Sequence, residues 1–244
     1  MTGEGFSPGT ILIIATITAG LSGLPMILPR VPAAKGQLVA IFLMLVASLA
    51  GSIAAVTVLV TGRSELFVLP LTLPFDSGVF CIDPLSAWFL LPIFLISGCS
   101  ALFARAYWHA DHYPANVRRM TFFFGMMAGA MSGVVIAHDG ISFLFAWETM
   151  ALAAYFLIST EDEKPEVNDA GSLYLITTHI GTLGLFALFP LLNLCTGSWH
   201  FPAAGSLDAS SPVATALFLT ALFGFGMKAG IMPFHVWLPS AHAN

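Results

Sequence analysis

Two ionisable side chains lie inside long apolar stretches of this sequence, where a charge is costly. Lys228 interrupts an apolar segment that runs from about Val213 to Pro239. Glu148 interrupts the segment from Gly140 to Thr160. A charge at the centre of a bilayer costs at least ~2.5–3.5 kcal/mol. Proteins keep such residues when they carry protons or ions, or when the two charges neutralise each other in a static ion pair.

The residues around Lys228 favour transport over a static pair. Gly226, Gly230 and Pro233 bracket the lysine, and a proline inside a helix removes a hydrogen bond and kinks or breaks the helix. Broken membrane helices are tolerated where they line a cavity or are buried in protein, and they recur at ion sites. Lysine can also lose its proton when buried, whereas arginine stays charged. We therefore predict a broken seventh helix with Lys228 at the break.

Three histidines are candidate proton relays, because histidine titrates near neutral pH. His179 lies among threonines in TTHIGT, and a satisfied interior histidine is an equally good interpretation. His235 lies two turns beyond Lys228, and His242 two turns further, so we expect both to continue the path from the break towards the cytoplasm.

Composition indicates an integral membrane protein. Charged residues make up 9% of the chain, against about 25% in soluble domains, and 57% of the residues are hydrophobic. The cysteines, Cys81, Cys99 and Cys195, form no metal-type motif, and the histidines lack zinc-site spacing. We therefore expect no metal site and no cofactor within this chain.

The apolar segments predict an all-α, polytopic fold with about seven transmembrane helices of about 20 residues each. The predicted spans are Pro8–Leu28, Gly36–Val60, Leu85–Tyr107, Met120–Ala137, Gly140–Thr160, Gly171–Leu194 and Val213–Pro239.

The loops predict the orientation and one non-helical element. Six basic residues fall on one side of the predicted spans, and only Arg63 falls on the other. The N-terminus should therefore lie outside the cytoplasm. The Pro-interrupted stretch from Leu66 to Phe80 is too short to span and predicts a strand or hairpin on the outer face. Asp83 followed by Pro84 predicts the start of the third helix.

The segments HDGISFLFAWETMALAAYFLI and GFGMKAGIMPFHVWLPSAHAN resemble the fifth and seventh helices of the antiporter-like proton-conducting membrane subunits. That family includes large membrane subunits of complex I, Mrp cation/proton antiporters and membrane-bound hydrogenases. IDPLSAWF is similar to the start of its third helix. The ending HVWLPSAHAN most resembles the hydrogenase 4 and formate hydrogenlyase branch.

The resemblance implies roles for particular residues and a larger fold. Glu148 matches the family's acid on the fifth helix, and Lys228 matches the lysine on its broken seventh helix. Some members carry an Arg or Asp on the sixth helix, where this chain offers His179. The family fold has about fourteen helices in two inverted repeats. We expect residues 1–244 to form a single membrane domain, the N-terminal part of a larger subunit, with an incomplete first repeat from about residue 120. Three explanations are open for why the chain covers only part of the family fold: it is a fragment, a partial description of the subunit, or one piece of a split subunit.

Our functional hypothesis is a non-catalytic, proton-translocating membrane subunit of a redox-driven respiratory or hydrogenase complex in a bacterial inner membrane. Expected partners are other membrane and redox subunits, the lipid bilayer and protons, with Na⁺ as the alternative ion, and no nucleic acid. The redox cofactors would belong to partner subunits. The alternatives are an Mrp-type cation/proton antiporter subunit and a purely structural membrane fragment in which Glu148 and Lys228 form a static pair.

Overall fold

The chain folds into a bundle of long apolar helices. The computed structural model describes residues 7–72, 77–108, 110–203, 205–208 and 210–243. Within these ranges, seven helical segments are long and apolar enough to cross a membrane, which confirms the predicted polytopic all-α fold. The main helices are α1 Pro8–Leu21, α2 Ala33–Thr61, α3 Pro84–Tyr107, α4 Pro114–Ile136, α5 Gly140–Ile158, α6 Pro165–Thr196 and α7 Pro212–Ala229.

Short helical pieces extend three of these helices. Single 3₁₀ turns follow α1 at Leu24–Met26, α5 at Ser159–Glu161 and α7 at Phe234–Trp237, and a short helix α8, Leu238–Ala243, follows the last turn. The sixth helix starts at Pro165, earlier than the predicted Gly171. Its polar first turn has no apolar pattern, but proline suits the first helical position because its missing N–H would have no partner there.

A β-hairpin covers one end of the bundle. Strands β1, Glu65–Thr72, and β2, Ser77–Ile82, pair antiparallel, which confirms the predicted extended segment. The amide of His138 donates to the Val79 carbonyl at 2.9 Å, and the amide of Phe201 donates to the His138 carbonyl at 3.1 Å. The hairpin, the α4–α5 connection and the α6–α7 connection therefore meet on one side of the bundle, as the predicted topology requires.

Two adjacent arginines at the start of α4 tie together the connections on the other side. The Arg118 guanidinium donates to the carbonyls of Met26 at 2.9 Å, Leu28 at 3.2 Å and Val31. Arg119 donates to the Ser159 carbonyl at 2.9 Å and forms an ion pair of 2.6 Å with Asp162. The α1–α2 and α5–α6 connections thus share one side with the predicted cluster of basic residues.

The core consists of two main apolar clusters joined by α4. The first lies among α1, α2 and α3 and includes Leu12, Met44 and Phe94. The second lies among α5, α6 and α7 and includes Trp147 and Leu185. The fourth helix packs against α1, α2 and α3 on one side and α5 on the other. Large apolar side chains cover the outward faces, as expected for helices that contact lipid.

Candidate functional site

The seventh helix ends one residue after Lys228, at Ala229. Gly230 has a φ of 65° and its amide bonds to the Gly226 carbonyl, which also accepts the Ile231 amide at 3.1 Å. These two bonds close the helix in the manner of a Schellman motif, in which glycine adopts the left-handed conformation without a steric penalty.

The break predicted near Lys228 is confirmed, but its position and cause differ from the prediction. The helix does not pass through Pro233 as a kinked segment, because Gly230 ends it first. Pro233 instead precedes the 3₁₀ turn Phe234–Trp237. Lys228 therefore lies in the last turn of α7, where the negative end of the helix dipole stabilises a cation.

The Lys228 ammonium contacts aromatic side chains and makes no ion pair with Glu148. Its Nζ donates to the Tyr174 hydroxyl oxygen at 2.8 Å and lies 5.6 Å from the centre of the Trp147 ring. No ion pair within 4.0 Å joins Lys228 to Glu148 among the described residues. The direct Glu–Lys pair that the sequence left open is thus not formed in this structure.

The Glu148 carboxylate faces a histidine instead. Its Oε2 lies 3.5 Å from Nε2 of His179. Nδ1 of the same ring lies 2.9 Å from the Leu175 carbonyl oxygen. Because a carbonyl only accepts, Nδ1 must carry its hydrogen. Nε2 is therefore the nitrogen that gains or loses a proton, and it is the one that faces the carboxylate.

The Glu148–His179 contact lies at the outer surface of α5 and α6. The Glu148 side chain is 25% exposed and that of His179 is 48% exposed. An open cavity of about 510 Å³ borders both side chains and reaches Phe186. A second, of about 450 Å³, borders Glu148 and Phe186 on the other side and ends at Trp199. Oε1 of Glu148 is buried and has no hydrogen-bond partner in the described part of the chain.

The threonines near His179 are accounted for by their own helix. The hydroxyls of Thr177, Thr178 and Thr182 each donate to the carbonyl four residues earlier, at 2.7 to 3.1 Å. Such bonds satisfy a hydroxyl in an apolar environment without any ligand. Among these neighbouring polar residues of α6, His179 is therefore the one whose side chain is available for proton transfer.

The structure describes the side chain of only the first of the two later histidines that are expected to continue the path from the break. His235 lies in the 3₁₀ turn beyond the break and is exposed. The spacing of two helical turns therefore no longer places it above Lys228. His242 belongs to the short helix α8, and its side chain lies outside what the structure describes. Their part in proton transfer remains a prediction.

Two functional neighbours escaped the sequence analysis, and one buried acid has a structural explanation. Tyr174 and Trp147 contact Lys228, yet an aromatic residue in an apolar span gives no signal by itself. Asp139 is 2% exposed, and its carboxylate accepts the amides of Ile141, Ser142 and Val79. It caps α5 and holds the hairpin. In the described residues, no three His, Cys, Asp or Glu side chains cluster as a metal site requires.

Comparisons with known proteins place this site within a family. Residues 137–244 match the family described as "NADH:quinone oxidoreductase/Mrp antiporter, TM". This part of the chain is therefore similar to the antiporter family. The chain is 34% identical over 161 residues to hydrogenase-4 component B of Escherichia coli K12, an alignment that covers 66% of this chain and 24% of the relative. It is 33% identical over 126 residues to NADH-quinone oxidoreductase subunit M of the same strain, covering 48% of this chain and 25% of the relative.

A solved structure shows the same fold. A chain of the membrane-bound sulfane sulfur reductase, an archaeal respiratory membrane complex, matches with a TM-score of 0.73 and 19% identity, over 96% of this chain and 47% of that one. The curated relatives are longer, since the alignments span only about a quarter of their length. The antiporter-family match begins at the start of α5 and contains Glu148, Tyr174, His179 and Lys228.

Proposed function

We propose that the chain forms part of a proton-translocating membrane subunit of a redox-driven respiratory or hydrogenase complex. The match of residues 137–244 to the antiporter family and the similarity to hydrogenase-4 component B support this proposal. The observation that carries it is the contact between Glu148 Oε2 and His179 Nε2 within two membrane-spanning helices. The subunit itself performs no redox chemistry, and the cofactors reside on partner subunits.

The geometry supports a proton that moves between Glu148 and His179. Since the Nδ1 hydrogen is held by the Leu175 carbonyl, one proton in the gap belongs either to Oε2 or to Nε2. A positive unit charge 4 Å away stabilises an ionised carboxylate by about 4 kcal/mol at an effective dielectric constant of 20. Lys228 is charged, flexible and nearby, so its approach favours the carboxylate with the proton on His179. Its retreat favours the return of the proton to Glu148.

The first test replaces the acid without changing its shape. In membrane vesicles that contain the complete complex, we expect Glu148→Gln to assemble normally and to lose most proton uptake driven by the electron donor. Glu166→Gln, the same change at an exposed position in the first turn of α6, is the control and should pump normally. Full proton uptake by Glu148→Gln at normal expression would remove the acid from the path.

Further measurements on the same vesicles and on the purified complex separate this proposal from the two alternatives. The description of the matched family includes Mrp antiporters, which favours cation/proton exchange as the second candidate. Proton movement driven by a Na⁺ gradient without any electron donor would support exchange. Co-purification with iron–sulfur subunits, together with donor-dependent uptake, would support the redox complex. A structural fragment with a static pair is disfavoured, because Lys228 contacts Tyr174 and not Glu148.

We also propose a bacterial inner-membrane location with the N-terminus outside the cytoplasm, based on the basic residues that share one side of the bundle. Single cysteines at Glu163, in the α5–α6 turn, and at Ser206, in the α6–α7 connection, are both at exposed positions. In a background without the native cysteines, an impermeant thiol reagent applied to intact cells should label Ser206→Cys and spare Glu163→Cys. The reverse pattern would invert the topology.

A further inference from the structure

The Lys228 ammonium is held by two aromatic side chains of neighbouring helices. Its hydrogen bond to the Tyr174 hydroxyl is 2.8 Å long, which is a short, charge-assisted geometry. The Trp147 ring centre lies 5.6 Å from Nζ, within the range of a cation–π contact. The 5.1 Å distance to the Tyr174 ring centre follows from the hydrogen bond, so Trp147 supplies the independent contact.

Tyr174 is itself fixed in place by the end of the broken helix. Its side chain is 4% exposed and packs edge-on against the Trp237 ring at 5.3 Å. The indole nitrogen of Trp237 donates to the Met227 carbonyl at 2.9 Å, next to Lys228 in the chain. That bond satisfies one of the carbonyls left open where a helix stops. Tyr174, Trp237 and the last turn of α7 therefore form a closed set of contacts around the lysine.

Close helix packing sets the distance between Tyr174 and Lys228. A Cβ atom on Gly181 of α6 would lie 2.7 Å from the Met227 Cβ, and one on Gly224 of α7 would lie 2.6 Å from the Leu185 side chain. Both distances are shorter than real contacts, so larger residues would push the helices apart. Small residues at these positions let the backbones approach and bring the hydroxyl within reach of Nζ.

The lysine has a second possible partner in Glu148. Glu148 follows Trp147 in the chain, and the Trp147 ring centre lies 5.6 Å from Nζ, although no ion pair joins Glu148 to Lys228 among the described residues. Oε1 of Glu148 is the buried acceptor without a hydrogen bond among the described residues. A lysine side chain is flexible and its ammonium has three donors, so it can exchange one acceptor for another.

We propose that Tyr174 is a positioning residue that holds the Lys228 ammonium at the end of α7 and apart from the Glu148 carboxylate. Lys228 must leave the Tyr174 hydroxyl before it can pair with Glu148, and this step controls when the carboxylate passes its proton to His179. The proposal rests on the proposed proton-translocating function. It adds a resting state in which the Lys228 ammonium donates a hydrogen bond to the neutral Tyr174 hydroxyl.

Tyr174→Phe tests this role, because it keeps the ring and its packing against Trp237 while removing the acceptor. A hydrogen bond to a charged group contributes enough free energy to change the ratio of two states roughly tenfold or more. The two states here are Lys228 bound to Tyr174 and Lys228 paired with Glu148. We therefore expect Lys228 to pair with Glu148 in the variant and proton uptake to fall about tenfold. Tyr155→Phe on α5 is the matched control, since its ring packs edge-on against Phe156 and its hydroxyl has no hydrogen bond shown among the described residues. It should retain uptake.

A second measurement does not depend on transport. The midpoint of thermal unfolding of the purified complex is compared for Tyr174→Phe, Glu148→Gln and the double variant. If Lys228 moves to Glu148 in Tyr174→Phe, then Glu148→Gln removes a new ion pair and lowers the midpoint more in that background than in wild type. The same cycle with Tyr155→Phe should be additive.

The outcomes separate the two proposals. Wild-type uptake by Tyr174→Phe together with an additive cycle would overturn the positioning role and leave Tyr174 as a packing residue. Loss of uptake in Glu148→Gln with an additive Tyr174 cycle would support the proton path and overturn the positioning role. A non-additive cycle in a complex that moves no protons would support the positioning of Lys228 and overturn the proposed function.

Discussion

The first three helices and the last three are all apolar enough to span a membrane, yet they carry different polar groups. In α1 to α3 the buried polar side chains are hydroxyls and one amide, those of Thr16, Gln37, Ser48 and Ser97. In α5 to α7 the spans carry Glu148, His179 and Lys228, one from each helix. The antiporter-family match covers only the second region. Under the proposed function, the first region would provide packing and the second would provide the groups that transfer protons.

Glycine allows close packing in both regions, and in the second it also ends the helix that carries Lys228. In the first, Gly51 makes room for the ring of Phe94, because a Cβ there would lie 2.6 Å from that ring. In the second, Gly181 and Gly224 bring two backbones together and Gly230 ends a helix. Glycine thus makes room for packing in the first region, and in the second it also sets the position of Lys228. Substitutions in the first should reduce stability alone, and substitutions in the second should reduce transport.

The largest effect is expected for Phe94→Ala in the first region. Phe94 is 1% exposed, and removing a buried ring of this size costs about 3–5 kcal/mol of unfolding free energy. The midpoint of thermal unfolding of the purified complex should fall, while proton uptake per assembled complex should stay at the wild-type level. Phe103→Ala, at a 65% exposed position on the same helix, is the control and should change neither. Loss of uptake in assembled Phe94→Ala complexes would contradict the division between the regions.

Lys228→Arg, in the second region, is expected to reduce proton uptake and to leave stability almost unchanged. We expect Lys228 to release its own proton during the cycle, in addition to its movement between Tyr174 and Glu148. Arginine keeps the charge at the end of α7 but cannot release its proton in a protein. Assembly and thermal stability should change little, while proton uptake by vesicles falls on the order of 10²-fold, the scale at which positioned acid–base groups contribute. Lys228→Met should also lose uptake. Wild-type uptake by the arginine variant would show that a fixed charge is sufficient, and the lysine would then be no proton carrier.

The smallest effect is expected for Gln37→Met. The Gln37 amide nitrogen is buried without a hydrogen-bond partner among the described residues and borders a cavity of about 50 Å³ with Ser22 and Thr121. Methionine has a similar volume and no donor to satisfy, so the unfolding free energy should stay constant or rise by up to about 1 kcal/mol. Uptake should not change. A loss of stability would instead show that an ordered water satisfies the amide in the membrane.

Much of the fold could be predicted because hydropathy and helix caps are local. The seven spans follow from runs of apolar residues, and the Asp83 cap follows from an Asp–Pro pair, confirmed by a 2.7 Å bond from the Ser86 amide. The hairpin follows from prolines that exclude a helix between α2 and α3. The break near Lys228 was predicted too, but proline was given the role that Gly230 has. Both glycine and proline can end a helix, and the sequence alone does not show which of the two ends this one.

The partners of the charged groups could not be predicted in the same way. Apolar spans determine that α5, α6 and α7 cross the membrane, and they place Glu148 and Lys228 inside it. Lipid tails do not distinguish one apolar face from another, so hydropathy leaves the rotation and offset of neighbouring helices undetermined. Only the tight glycine contact between α6 and α7 and the early end of α7 bring Lys228 to Tyr174. The sequence therefore determined which residues are charged within the membrane, and the tertiary structure decided which of them meet.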